Sequence, residues 1–208
     1  MKIVLLDCVF LLGALVLYKL VGVFEVPYGG SGDCFDVVKE VFKRREYGIA
    51  DPYDYELMFV KPILFTVLDQ YPGLLDYIPY ICIAMVVIGK HFLFSFLSRQ
   101  KKININHFTF LFYANPFVYT MILSKSLYCI DFLLIAMLLY SITKTAPAFT
   151  AFIAALLVYQ NPHNIVFFIP IYTLSSFNKL KFILTVLFNL SVLLFASYTI
   201  MGGSWVSL

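Results

Sequence analysis

Apolar stretches recur along this chain between short polar breaks, and nothing else constrains its fold as much. They run over 8–24, 74–97, 108–123, 126–142, 146–160, 165–176 and 182–200. A helix that crosses the hydrocarbon core of a bilayer needs about 20 apolar residues. Two of the stretches reach that length or come close to it. The middle ones fall short, so as membrane segments they must be tilted, broken or partly inserted. Irregular backbone at membrane depth is tolerated where protein or a water-filled cavity covers it, and the short middle segments are therefore a pointer to a cavity.

Bulk composition agrees with this reading. Hydrophobic residues make up 62% of the chain, charged residues only 13%, and the mean hydropathy is +0.89. Soluble domains carry about a quarter charged residues. The 22 Phe and 15 Tyr supply rings suited to lipid and headgroup contact. So apolar a chain is not disordered, and a scattered net charge of +3 does not describe a nucleic-acid binder. The expectation is an all-α, polytopic membrane protein of about six to eight segments, forming one transmembrane domain over 1–208. The first apolar run reads as a retained helix interrupted by Asp7 and Lys19 rather than as a cleaved signal.

Basic residues give the orientation. Lys2, Arg99, Lys101, Lys102, Lys144, Lys179 and Lys181 all fall on one side when the spans alternate, and that side is expected to be the cytoplasm. The loop over 25–73 then faces the lumen. It also holds basic residues, but most of the acidic ones sit there, and its length approaches the point at which the charge rule fades. Within it, Phe35, Val38, Val41 and Phe42 share one helical face, while Asp36, Lys39, Glu40, Lys43 and Arg44 share the other. Asp33 is placed as the N-cap. This is the pattern of a helix lying flat on the membrane. A short apolar stretch over 63–68 behind Pro62 is too short to span and reads as re-entrant.

No nucleotide-binding, metalloprotease or serine-hydrolase motif occurs. His91, His107 and His163 are far apart, and neither a metal nor a cofactor is expected. Cys8 and Cys82 read as packing residues; Cys34 and Cys129 fall on one predicted side, where a disulfide between them is open. Polar candidates cluster at the predicted luminal edge. Asp33 and Asp36 are either helix-start residues or a base that takes a proton from an acceptor hydroxyl. Asn115-Pro116 breaks a helix and frees backbone groups for a headgroup or for neighbouring helices. Lys125-Ser126 either meets a lipid phosphate or snorkels to water. Asp131 is either a hydrated end residue or a functional intramembrane acid. The run from Tyr159-Gln160 to Asn164 either lines a headgroup site or closes a turn. A transporter would carry an internal repeat and charged pairs within its spans; neither stands out.

Several runs together resemble a known family. They are Leu111-Phe112-Tyr113-Ala114-Asn115-Pro116, Ser124-Lys125-Ser126 and Leu134-Ile135-Ala136, then Ala154-Ala155-Leu156, Tyr159-Gln160 and Phe168-Ile169-Pro170. Asp36-Val37-Val38-Lys39-Glu40, Pro62-Ile63-Leu64 and Trp205 after Ser204 fit the same order. The pattern is similar to PIG-U, a subunit of the GPI transamidase, and is densest over 110–170. Order and spacing carry the likeness more than any single motif.

PIG-U is related to GPI mannosyltransferases of the PIG-M type. Those carry Arg-Gly-Asn where this chain has Ser124-Lys125-Ser126, and His-x-Lys-Ile-Tyr-Pro where it has Tyr159-Gln160. Both differences favour PIG-U. Asn161-Pro162-His163-Asn164 departs from the Leu-Tyr-Pro usual after Tyr-Gln, and the chain corresponds to the N-terminal half of the family.

The resemblance implies a scaffold like that of the lipid-sugar glycosyltransferases (glycosyltransferase-C-like) in the endoplasmic reticulum membrane. It also implies a non-catalytic role, with GPI lipid held in a membrane cavity and partner subunits that include one of cysteine-protease type. Asn115, Lys125, Ser126, Tyr159 and Gln160 become the expected lipid-binding positions. The alternative is a mannosyltransferase using dolichol-phosphate mannose, with Asp33 or Asp36 as base.

Overall fold

The computed structural model describes residues 2–23, 35, 61–100, 103–144, 146–174, 176 and 178–201. The predicted surface helix falls outside them except for Phe35, as do Cys34, Asp33 and Asp36.

The described segments are helical. α1 spans Lys2–Val23, α2 Pro62–Gln70, α3 Leu74–Gln100, α4 Ile105–Tyr113 and α5 Pro116–Leu123. They are followed by α6 over Tyr128–Ile142 and α7 over Pro147–Gln160. A 3₁₀ turn over Pro162–Phe167 leads into α8, Phe168–Leu174, and α9 spans Lys179–Met201. Local chemistry sets several of these boundaries. Proline opens α2, α5 and α7, where its missing N–H costs nothing. Asn104 and Asn115 cap α4 and α5, each side chain accepting a backbone N–H two residues on. The stretch predicted over 108–123 is therefore two helices, broken at Asn115-Pro116 as the sequence requires.

Among the described residues two helices, Leu74–Arg99 and Lys179–Ile200, are long and apolar enough to cross a membrane. Leu6–Leu17, Tyr128–Ile142 and Pro147–Gln160 are shorter apolar helices.

Residue contacts fix the relative directions of the helices. Along α3 and α6, Cys82 meets Cys129, Phe92 packs on Tyr140 at 5.1 Å, and Arg99 donates to the Thr143 carbonyl at 3.0 Å. The numbering climbs on both, so these helices run parallel. α7 and α9 are also parallel: Pro147 and Ala148 share a surface with Lys181 and Thr185, and Tyr159 bonds Ser197. α4 folds back on α3, with Phe94 on Phe108 at 5.6 Å and Lys90 over the Tyr113 ring at 4.9 Å. α8 folds against α9 in the same way, through Tyr172 with Lys179 and Phe168 with Phe182.

Among the described residues the core has two parts. One gathers Phe10, Phe65, Val86, Val118 and Ile122 from α1, α2, α3 and α5. The other gathers Leu138, Ala154, Leu157, Ile171 and Val186 from α6 to α9. Small side chains permit the closest approaches. Ala151, Ala154 and Ala155 of α7 are fully buried. A Cβ at Gly89 would sit 2.6 Å from the Phe132 ring of α6.

Candidate functional site

Two polar features stand out among the described residues. The first joins α1, α3 and α4. Asp7 of α1 is paired through Oδ1 with the Lys90 ammonium of α3. The same oxygen accepts the Tyr113 hydroxyl at 2.5 Å, and Oδ2 accepts from His91 Nε2 at 2.9 Å. Lys90 is 1% exposed, and Phe10 stacks on the Tyr113 ring at 3.9 Å. One carboxylate thus receives three donors, and both buried charges are compensated. Unpaired, either would be costly in this setting.

This is a charged pair within apolar helices, which sequence reasoning misses. Along the chain Asp7 looks like an interruption of a span, and Lys90 does not stand out. The usable signal is two opposite charges, each alone in an apolar run. Its geometry, one carboxylate joining three helices, is that of a lock between them.

The second feature is a groove of about 290 Å³ between α2, α6, α7 and α9, at the lower edge of the range for small-molecule sites. Ile63, Leu134 and Leu156 supply apolar walls, and Lys61, Tyr159 and Gln160 supply the polar groups. Tyr159 is buried, and its hydroxyl is committed to Ser197, which in turn donates to the Leu193 carbonyl at 2.9 Å. Gln160 is half-buried at the last position of α7, and no hydrogen bond to a described residue holds its carboxamide. Lys61 sits at the N-terminal edge of α2, where burial pushes its ammonium below the usual lysine range.

The other expected site residues serve the turns at the ends of the helices. Asn115 is exposed, and its side-chain oxygen accepts the Phe117 N–H at 3.0 Å. Lys125 adopts the left-handed conformation, with φ of 49°, which is uncommon for a residue with a side chain. Its carbonyl accepts the N–H of buried Phe35 at 3.1 Å, tying the long loop to the α5–α6 turn. Ser126 is buried, and its hydroxyl accepts the Tyr128 N–H at 3.1 Å. Of the five expected positions, the groove brings together Tyr159 and Gln160; Asn115, Lys125 and Ser126 do not line it.

Two alternatives left open by the sequence are narrowed. Cys129 is a free, fully buried thiol beside Cys82, so it forms no disulfide with Cys34. Asp131 is buried in the first turn of α6, where the helix dipole favours its charge, and is not a hydrated end residue. In the Tyr159–Asn164 run, Asn164 donates to the Leu157 carbonyl at 3.3 Å and Asn161 caps the 3₁₀ turn. That part of the run is a hydrogen-bonded turn. Among the described residues no cluster of three or more His, Cys, Asp or Glu forms a metal site.

No curated protein matches the chain. A family model described as PIG-U, GPI transamidase subunit, matches residues 29–208. The match takes in the groove, Lys90, His91 and Tyr113, while Asp7 and the rest of α1 precede it. Because the match covers most of the chain, this protein belongs to the PIG-U family of GPI transamidase subunits.

Proposed function

We propose that the chain is a non-catalytic, multi-pass subunit of the GPI transamidase in the endoplasmic reticulum membrane. In this role it holds the GPI lipid while a cysteine-protease-type partner cuts the substrate's signal and passes the new end to the GPI ethanolamine. The observation that carries this reading is the groove: mostly apolar walls from four helices, with polar groups from Lys61, Tyr159 and Gln160. Such a lining suits an amphiphile, whose chain enters the apolar part while its head meets the polar residues. Membership of a transamidase-subunit family supports this reading over a sugar transfer based on Asp33 or Asp36.

Under this reading Tyr159 and Gln160 form the groove wall, and Asn115, Lys125 and Ser126 hold the caps and turn at the helix ends. Alanine at all five positions is expected to abolish surface display of a GPI-anchored reporter in cells that lack the endogenous subunit. Co-purification of the other transamidase subunits checks that the variant still assembles. Normal reporter display would rule out the proposed lipid site.

A further inference from the structure

We propose that Lys61 binds the phosphate of the lipid held in the groove, so that the groove prefers the phosphatidylinositol end of a GPI precursor to an uncharged diacyl lipid. The inference rests on the groove being the lipid site. Lys61 lines an otherwise largely apolar cavity. Its backbone is already placed: it takes the N-cap position of α2 in extended geometry, and its carbonyl accepts the Phe65 N–H at 2.9 Å. Its side chain makes no cap hydrogen bond, and among the described residues no carboxylate pairs with its ammonium.

A partly buried cation without a counter-ion is unfavourable, and burial accordingly pushes this ammonium down from the usual lysine range. An anion in the groove would reverse that. α2 adds to the attraction, because its positive end starts at Pro62, beside Lys61. Gln160 offers a carboxamide to the rest of the headgroup, while Ile63, Leu134 and Leu156 receive one chain.

The experiment titrates the purified full-length chain in detergent with dioleoyl phosphatidylinositol and, separately, with dioleoylglycerol. Retained lipid is counted by mass spectrometry for wild type, Lys61→Gln, Lys61→Arg and the groove-filling Leu134→Trp. Wild type and Lys61→Arg are expected to hold phosphatidylinositol saturably. Lys61→Gln is expected to weaken it about fivefold, the scale of one lysine–phosphate attraction at a membrane surface, and to leave dioleoylglycerol unchanged. Leu134→Trp is expected to displace both lipids.

Unchanged phosphatidylinositol binding in Lys61→Gln, with loss in Leu134→Trp, would overturn the lysine contact and leave the groove reading standing. Equal weakening of both lipids by Lys61→Gln would overturn the contact as well, since it would mean a packing defect. Binding that Leu134→Trp does not alter, or no saturable binding by wild type, would overturn the groove reading itself.

Discussion

At the scale of single residues, the Asp7–Lys90 pair is the most deeply placed ion pair among the described residues. Lys90 is 1% exposed and Asp7 8%, so the ammonium is withdrawn from solvent and the carboxylate largely so. The carboxylate is satisfied by Lys90, Tyr113 and His91 together. Removing Asp7 leaves Lys90 as a buried, uncompensated charge, and removing Lys90 leaves Asp7 with only Tyr113 and His91; breaking a buried pair in this way costs about 3–5 kcal/mol. Replacing both with apolar side chains removes the cost along with the interaction. Asp7→Leu and Lys90→Met alone are therefore each expected to lower the detergent unfolding midpoint markedly. The double variant is expected to recover most of the loss, because the two substitutions are strongly coupled. Additive losses in the double variant would show that the pair does not act as a unit. The same reasoning explains why the site is partly hidden in the sequence. A carboxylate in one apolar run and an ammonium in another, far apart along the chain, each look like an isolated interruption. Only the packing of α1 against α3 and α4 shows that each compensates the other.

At the scale of elements, the sequence is most informative where the chain punctuates itself. Asn115-Pro116 breaks a helix because proline cannot continue the backbone ladder and asparagine caps the next helix, and both are visible in two letters. The apolar runs mark most of the helices. Lys125 in left-handed geometry closes α5 locally, with the Ser126 N–H on the Met121 carbonyl and the Lys125 N–H on the Ile122 carbonyl. What no local pattern carries is the Phe35 N–H reaching the Lys125 carbonyl from a distant loop. The groove likewise needs α2 set against α6, α7 and α9, which no residue in those helices announces, although Tyr159 and Gln160 stand out in the sequence as a polar edge. Gly89 is a similar case. Within its own run it is only a weak helix former, yet in the fold it lets α6 approach α3, with the Phe132 ring filling the place of a side chain. Gly89→Leu forces Phe132 and the α6 backbone away, and overpacking of this kind costs about 1–3 kcal/mol. The expected result is a lower unfolding midpoint, partly restored by Phe132→Ala, which opens space for the new side chain. No rescue by Phe132→Ala would place the obstruction elsewhere.

At the scale of the whole molecule, the charge pattern makes an expectation about helix directions that four packed pairs of helices can be set against. Alternating the spans so that the basic breaks share one side requires α1, α4–α5, α7 and α9 to run one way and α3, α6 and α8 the other. Four pairs of helices have directions compatible with that expectation: α3 is parallel to α6, α7 is parallel to α9, α4 folds back on α3, and α8 folds back on α9. Arg99 reaches Thr143 and Lys144 lies over Tyr140, so two separate basic breaks meet at one end. The outer face of α9 fits a lipid boundary, with Phe188 and Phe195 largely exposed. The segments at 101–104 and 143–146 should then face the cytoplasm, and the turns at 124–127 and 161–162 should face the lumen beside the groove. Glycosylation-acceptor cassettes inserted singly at these four places read this directly, since N-glycans are added only in the lumen. Cassettes at 124–127 and 161–162 are expected to carry glycan and those at 101–104 and 143–146 to remain bare. The reverse pattern would turn the molecule over and put the groove on the wrong side for GPI attachment. Glycan at both ends of the α6–α7 hairpin would show that these two short helices do not cross, and the four-helix groove would then have to form at the luminal surface.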